Sequence, residues 1–314
     1  MSIPHIEPSP ETVHWGYFDA TRPPLLTIAS GDRVTISSVS GPPDMMPKAP
    51  LVIPPALTAI QMSTDKKRLP GHMCTGPVSV SGAKAGQVLQ VNIESIEPYY
   101  DWGYIHVRPL VGALPDDFTE LRLVHATLDA AEKAWRLPWG HTVPFAPFFG
   151  VMAVAPPATW GTISTLPPRR NGGNMDNKEL VAGTTLYLPI FTDGALFSVG
   201  DGHGAQGDGE VCINAVETGL TGTFRLTVRD DMELKWPMAE TPGHMMTMAF
   251  DPDLDDCVVL ALRQMIDLLC RRTNLDRTEA YMLCSLAADL RVTQVVNGTK
   301  GIHVMLAKRY FAAG

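Results

Sequence analysis

Glycine and proline punctuate this chain so evenly that long helices have little room before residue 250. Each occurs 27 times in 314 residues, and both favour turns over continued helix. Between these breaks apolar and polar residues alternate, which is the period of a half-buried strand. Leu25 to Ile28, a turn at Ser30-Gly31-Asp32 and Val34-Thr35-Ile36 predict a hairpin. Gly76 to Ile93 repeats the pattern: Val78 and Val80 alternate, Gly82 to Gly86 turns, and Leu89, Val91 and Ile93 share one face. Residues 145–155 and 184–199 supply further apolar strands, while 116–137 fits either a strand pair or a helix.

Beyond residue 250 the pattern becomes helical. Asp251 is placed to cap a helix with Pro252 at its first position, and Asp253, Asp255 and Asp256 put negative charge where the helix dipole favours it. Leu254, Cys257, Val258, Ala261, Leu262 and Met265 follow at helical spacing, Arg271 and Arg272 close the last turn, and Asn274 suits a left-handed position after it. Asp276 with Glu279 forms a capping box for a second helix running to about Leu290, followed by a strand from Arg291 to Val296 and an Asn297-Gly298 turn. The expected fold is mainly β, sandwich- or barrel-like, with a smaller α/β C-terminal part, hence α+β overall. A β-rich catalytic body spans 1–250, and a helix-helix-strand part over 251–314 packs on it without being an independent domain.

With 45% apolar and 18% charged residues the chain can bury a sizeable core. Its net charge of −8 argues against nucleic acid, and the basic runs Lys66-Lys67-Arg68, Arg169-Arg170 and Arg271-Arg272 are too short for a phosphate-binding stripe. The start, Met1-Ser2-Ile3-Pro4-His5, does not read as a secretory signal, and no apolar run is long enough for a membrane span. The five cysteines are odd in number and never spaced C-x-x-C, so free thiols in a reducing cytoplasm are expected.

The densest chemistry lies in Gly200-Asp201-Gly202-His203-Gly204-Ala205-Gln206-Gly207-Asp208-Gly209-Glu210. Five glycines allow positive φ and close backbone approach to a ligand; the acids and the imidazole are metal ligands or proton carriers. The literal Gly202-x-Gly204-x-x-Gly207 is no dinucleotide fingerprint, because residues 210–216 alternate as a strand where that motif opens a helix. An extended 197–203 segment would project Asp201 and His203 from one face, and Glu210 would fold back against them after a glycine hinge. Such a donor set suits zinc or another divalent cation. A second cluster, Asn171-Gly172-Gly173-Asn174-Met175-Asp176, offers amides for an oxyanion and a carboxylate for a metal, and His72 stands at the mouth of a strand.

These segments resemble the acetamidase/formamidase family. The likeness is carried by Gly76-Pro77-Val78, by Gly172-Gly173-Asn174-Met175-Asp176, by Gly200-Asp201-x-His203 running into Gly207-Asp208-Gly209-Glu210, and by Ala288-Asp289-Leu290-Arg291-Val292-Thr293-Gln294. It implies a mainly β fold, homodimers or higher homo-oligomers, zinc or calcium, and hydrolysis of formamide- or acetamide-like amides to acid and ammonia. Two positions depart from the pattern: Gly204 stands where Ala is usual, and Asn171 where His is common. On this reading Asp201 and His203, with His72 or Asp176, hold the metal. Glu210, or failing it Asp208, moves the proton, and Asn174 or Gln206 stabilises the oxyanion. The enzymatic alternative is a Cys212 or Cys74 nucleophile. The alternative from another class is a metal-stabilised protein that binds an amide or urea without turnover.

Overall fold

The computed structural model describes residues 2–64 and 67–312; Met1, Asp65, Lys66, Ala313 and Gly314 lie outside, taking with them one lysine of the Lys66-Lys67-Arg68 run. Two large sheets dominate. The nine-stranded sheet has the spatial order 5–6, 33–37, 220–229, 88–98, 185–189, 238–240, 244–251, 300–307, 289–294. The eleven-stranded sheet runs 142–144, 134–136, 122–129, 102–107, 217–218, 197–203, 148–153, 172–174, with 73–80 also paired to 197–203 and flanked by 13–15 and 26–28. Side chains from both sheets meet in one core: Val34, Ile36, Leu89, Val91, Ile93 and Phe224 from the first, Val78, Phe149, Met152 and Phe197 from the second. This is sheet-on-sheet packing, and the mainly β expectation is met.

The helices are α1 (Pro55–Met62), α2 (Leu254–Arg272) and α3 (Arg277–Ala287). Period-two alternation in the strand His244–Asp251 decides where α2 and α3 sit. Met246, Met248 and Phe250 point into the intersheet core, while Met245 and Ala249 face Cys257, Ala261, Met265 and Leu269 of α2. One sheet therefore separates two apolar layers. Truncating Met265, which is fully buried, would cost about 2–5 kcal/mol. Among the described residues no helix is long and apolar enough to cross a membrane.

Several local expectations change. Neither predicted hairpin forms, because the paired runs separate into different sheets. Leu26–Ile28 pairs in parallel with Met73–Val80, whereas Arg33–Ser37 pairs with 5–6 and 220–229. Likewise Met73–Val80 and Val88–Pro98 belong to opposite sheets. Here the intersheet core outweighs local turn chemistry. Residues 122–129 and 134–136 resolve the open segment as a strand pair. Asp253, not Asp251, caps α2, its carboxylate accepting from the N–H groups of Asp255 and Asp256. The residue after α2 is extended Thr273, so Asn274 takes no left-handed cap. The Asp276/Glu279 capping box is present, but α3 ends at Ala287 and the next strand begins at Asp289.

Candidate active site

The site is built where the strand Phe197–His203 changes partners. Along one edge Phe197 to Gly200 pair with Met73–Val80, while Gly202 and His203 pair with Glu217–Thr218. Asp201 sits at the changeover with φ +57°. Asp176 (φ +49°) and Glu210 (φ +47°) share this left-handed conformation, which costs an L-residue energy and persists where surrounding structure enforces it. Asp176 is fixed by its own N–H and that of Met175, both donating to the Gly150 carbonyl. Glu210 follows Gly209, which exchanges backbone hydrogen bonds with Thr293 and Val295 beside the last strands. Residues 211–216 form a turn, not the expected strand. Ile213 N–H closes onto the Glu210 carbonyl, and pairing resumes only at Glu217.

This architecture gathers four carboxylates and two imidazoles. His203 Nε2 lies 3.2 Å from Asp201 Oδ2, 3.3 Å from Glu217 Oε1 and 3.8 Å from Asp176 Oδ1. His72, about 130 positions away in the chain, brings its Nε2 to 3.7 Å from Asp201 Oδ2, with its ring bonded to Thr165 Oγ1 through Nδ1 at 3.2 Å. Gly150 makes room: a Cβ there would stand 2.5 Å from Asp176 Oδ1 and 2.7 Å from Asp201 Oδ2. Two donor sets fall within metal-binding spread, Asp176/His203/Glu210 and Asp201/His203/Glu217, and they share one imidazole.

The electrostatics of this cluster call for positive charge. Burial pushes Asp176 to about 6, Glu217 to about 8 and Glu210 well above the carboxylate range. Burial also opposes ionisation of Asp201, yet the imidazoles of His72 and His203 beside it hold it below its usual value. Burial lowers His203 as well, but Glu217 and Asp201 next to it raise it overall, well above the usual histidine range. His203 Nδ1 donates to Gln206 Oε1 at 2.8 Å, so Nε2 is the nitrogen left to face the acids. That nitrogen, Asp176 Oδ1, Glu210 Oε2 and Glu217 Oε2 are all buried without a hydrogen-bond partner. Orphaned donors of this chemistry, converging on the space that Gly150 leaves, fit a divalent cation.

Of the residues expected from sequence, the structure brings together Asp201, His203, His72, Asp176 and Glu210. Asp208 does not join them; it is partly exposed and lies 3.6 Å from Lys178. Gln206 is committed at both ends, to His203 and to the Asp176 carbonyl at 2.8 Å, so it positions these two residues and does not face an oxyanion. Asn174 donates to the Leu166 carbonyl, and its free, buried atom is the acceptor Oδ1. Glu217 was missed, being a lone acid after an apolar run with no motif around it. Asn297, whose Nδ2 donates to Asp176 Oδ2 at 2.6 Å, was read only as part of a turn. Asn171 is buried and donates to the Val154 carbonyl, away from the cavity. Gly204 lies under Trp135, where a Cβ would come within 2.3 Å of the indole.

A cavity of about 920 Å³ opens from the cluster, its walls including His72, Asn174, Asp201, Glu210, Glu217 and Asn297. Neither candidate cysteine lines it. Cys74 is wholly buried beside Phe18 and Val151, and burial, with Asp201 nearby, pushes its thiol well up. Cys212 is half-buried, and burial raises its thiol too.

The sequence model of the "Acetamidase/Formamidase family" matches residues 64–162 and 157–307. The chain belongs to that family. An acetamidase of Bacillus halodurans has a crystal structure that superposes with a TM-score of 0.85, at 33% identity over 98% of both chains. An acetamidase of Yersinia enterocolitica superposes with a TM-score of 0.86, at 26% identity over 99% of this chain and 93% of that one. An acetamidase of Mycolicibacterium smegmatis is 28% identical over 209 residues, 48% of this chain and 52% of that protein. The chain thus spans about half the length of the curated relatives it matches.

Proposed function

We propose that this chain hydrolyses short linear amides of the formamide and acetamide kind to a carboxylic acid and ammonia, with a divalent cation held by His203, Asp176, Asp201, Glu217 and His72. Family membership supports the reaction class. The observation that carries the site is the unpartnered His203 Nε2, buried beside Asp201, Glu217 and Asp176, the last two of which burial keeps from ionising freely. Bound there, a cation supplies Lewis acidity, polarising a carbonyl and making water a nucleophile near neutral pH. One or two imidazole nitrogens among the donors favour zinc over calcium, which takes oxygen ligands.

The protein's own groups do the rest. Glu210 lines the cavity and its Oε2 is unpartnered, so it is placed to take the proton of the attacking water and return it to the departing nitrogen. Asn174 Oδ1 accepts from the substrate NH₂ and so selects an unsubstituted amide. Gln206 and Asn297 hold His203 and Asp176 in place. Homodimers or larger homo-oligomers in the cytoplasm are part of this reading, and the free thiols of the described cysteines agree with a reducing compartment.

The deciding experiment is ammonia release from a panel of short amides before and after chelation. Release that chelation removes and one added metal restores supports the proposal. Release that survives complete chelation overturns the metal, and tight amide binding without ammonia overturns catalysis.

A further inference from the structure

The cavity is far larger than the amides named above. At the roughly 30 Å³ that a water molecule claims in the liquid, a four-heavy-atom amide fills on the order of an eighth of 920 Å³. Something beyond the amide has space to bind, and the charged groups of the wall say what.

Two arginines line the cavity, Arg68 and Arg108. Arg108 is paired with Asp44 at 3.3 Å. Arg68 is exposed, and among the described residues it has no carboxylate beside it. Its guanidinium lies 3.2 Å over the centroid of the Trp15 ring. Trp15 is buried, its Nε1–H donates to the Gly71 carbonyl at 2.9 Å, and its backbone pairs with Met73. The Leu69 N–H bonds to the Trp15 carbonyl at 3.1 Å, so the segment bearing Arg68 is held against the same wall. A guanidinium stacked on a fixed indole keeps its edge free for bidentate bonds to a planar anion.

Arg68 lies four positions before His72, whose ring reaches the metal-binding cluster. Four residues span at most about 14 Å, a distance one short chain can bridge. The cavity wall thus carries two kinds of group: the acid and imidazole cluster with Asp201, Glu210 and Glu217, which takes the amide, and the Arg68 guanidinium, which attracts an anion. A molecule with a neutral amide at one end and a carboxylate at the other is oriented by both.

We infer that Arg68 on Trp15 forms a carboxylate subsite, and that the preferred substrate is a primary amide carrying a carboxylate at its far end, such as the monoamide of a dicarboxylic acid. The inference rests on the amide-hydrolysis reading of the cluster.

The test compares kcat/KM of the metal-loaded enzyme for the monoamides of succinic, glutaric and adipic acids with the neutral diamides of the same lengths. One monoamide should exceed its diamide by about tenfold or more, the scale of a hydrogen-bonded charge. Arg68→Gln should erase that preference through KM, and Arg68→Glu should reverse it towards amides bearing an amine at that end. Equal turnover of monoamide and diamide, or a preference that persists in both variants, overturns the subsite. Acetamide hydrolysis without such discrimination overturns this inference alone, whereas no ammonia from any amide overturns the function on which it rests.

Discussion

Asn297 Nδ2 donates to Asp176 Oδ2 at 2.6 Å, joining residues 121 positions apart and leaving Asp176 Oδ1 as the free oxygen that faces His203. Asn297 thus selects which carboxylate oxygen is available to a metal. Asn297→Leu should weaken metal affinity by 10–100-fold, the scale of lost outer-sphere support. Calorimetric titration of the metal-free protein with zinc measures it; unchanged affinity would make Asn297 a bystander.

Glu210→Gln keeps shape and removes the proton carrier. Turnover should fall by at least about 10²-fold, the ordinary contribution of a positioned acid–base group. Metal content, read by plasma emission spectrometry, should be unchanged. Loss of metal would move Glu210 from proton carrier to ligand.

Gly150 is not at positive φ, so its backbone accepts alanine without strain. The added methyl would meet Asp176 and Asp201 instead. Gly150→Ala should therefore abolish metal binding at a stability cost of about 1–3 kcal/mol. A variant that binds metal normally would show the carboxylates able to move aside.

The metal-free protein should lose stability as pH rises. Asp176 and Glu217 are raised by burial to about 6 and about 8, from ordinary values of 3.8 and 4.5, and Glu210 is raised too. A raised carboxyl keeps its proton in the folded chain after the unfolded chain has released it, so folding is penalised increasingly across that interval. His203 acts in the same sense: its contribution is complete below its ordinary 6.5 and disappears as pH rises through its raised folded value. Asp201, held below 3.8, acts only in acid, its contribution vanishing as pH falls through that lower folded value. His106 and His303, which burial lowers from 6.5 to about 4 and about 3, act in the opposite sense below pH 6.5. Tm without metal should therefore decline chiefly from about pH 6.5 to about pH 8, and the gain from added zinc should be larger at the upper end, where fewer protons compete. A metal-free Tm that rises across this window would contradict the charge distribution described.

Replacing both Cys74 and Cys212 by alanine should leave kcat/KM within about twofold, because neither thiol lines the cavity and burial disfavours both thiolates. Loss of activity in a folded double variant would revive a thioester route.

What was legible in the sequence was whatever local chemistry encodes. The Asp276/Glu279 capping box, the α2 stripe and the shared face of Leu89, Val91 and Ile93 depend on short spacings, and all three appear. The hairpins failed because strand pairing here follows the intersheet core, which no local pattern records. Asp201 and His203 were readable from period two along one strand. Their meeting with Glu217 depends on a change of strand partner at Asp201, visible only in three dimensions. Gln206 and Asn174 were recognised as site residues, but their hydrogen bonds decide their roles. Gln206 faces His203 because its amide nitrogen is anchored on the Asp176 carbonyl 30 residues earlier, a relation that spacing does not express.

The backbone bonds between Gly209 and the strand ending at Gln294 carry a consequence for how the molecule comes into being. The loop that presents Glu210 is held by Thr293 and Val295, and Asp176 is held by Asn297. A chain that has emerged only as far as α2 possesses every acid and imidazole of the cluster, yet lacks the segment that holds Glu210 and Asp176. On the proposed reading, metal capture waits until residues 293–297 are in place, so a polypeptide lacking them should not compete for the ion.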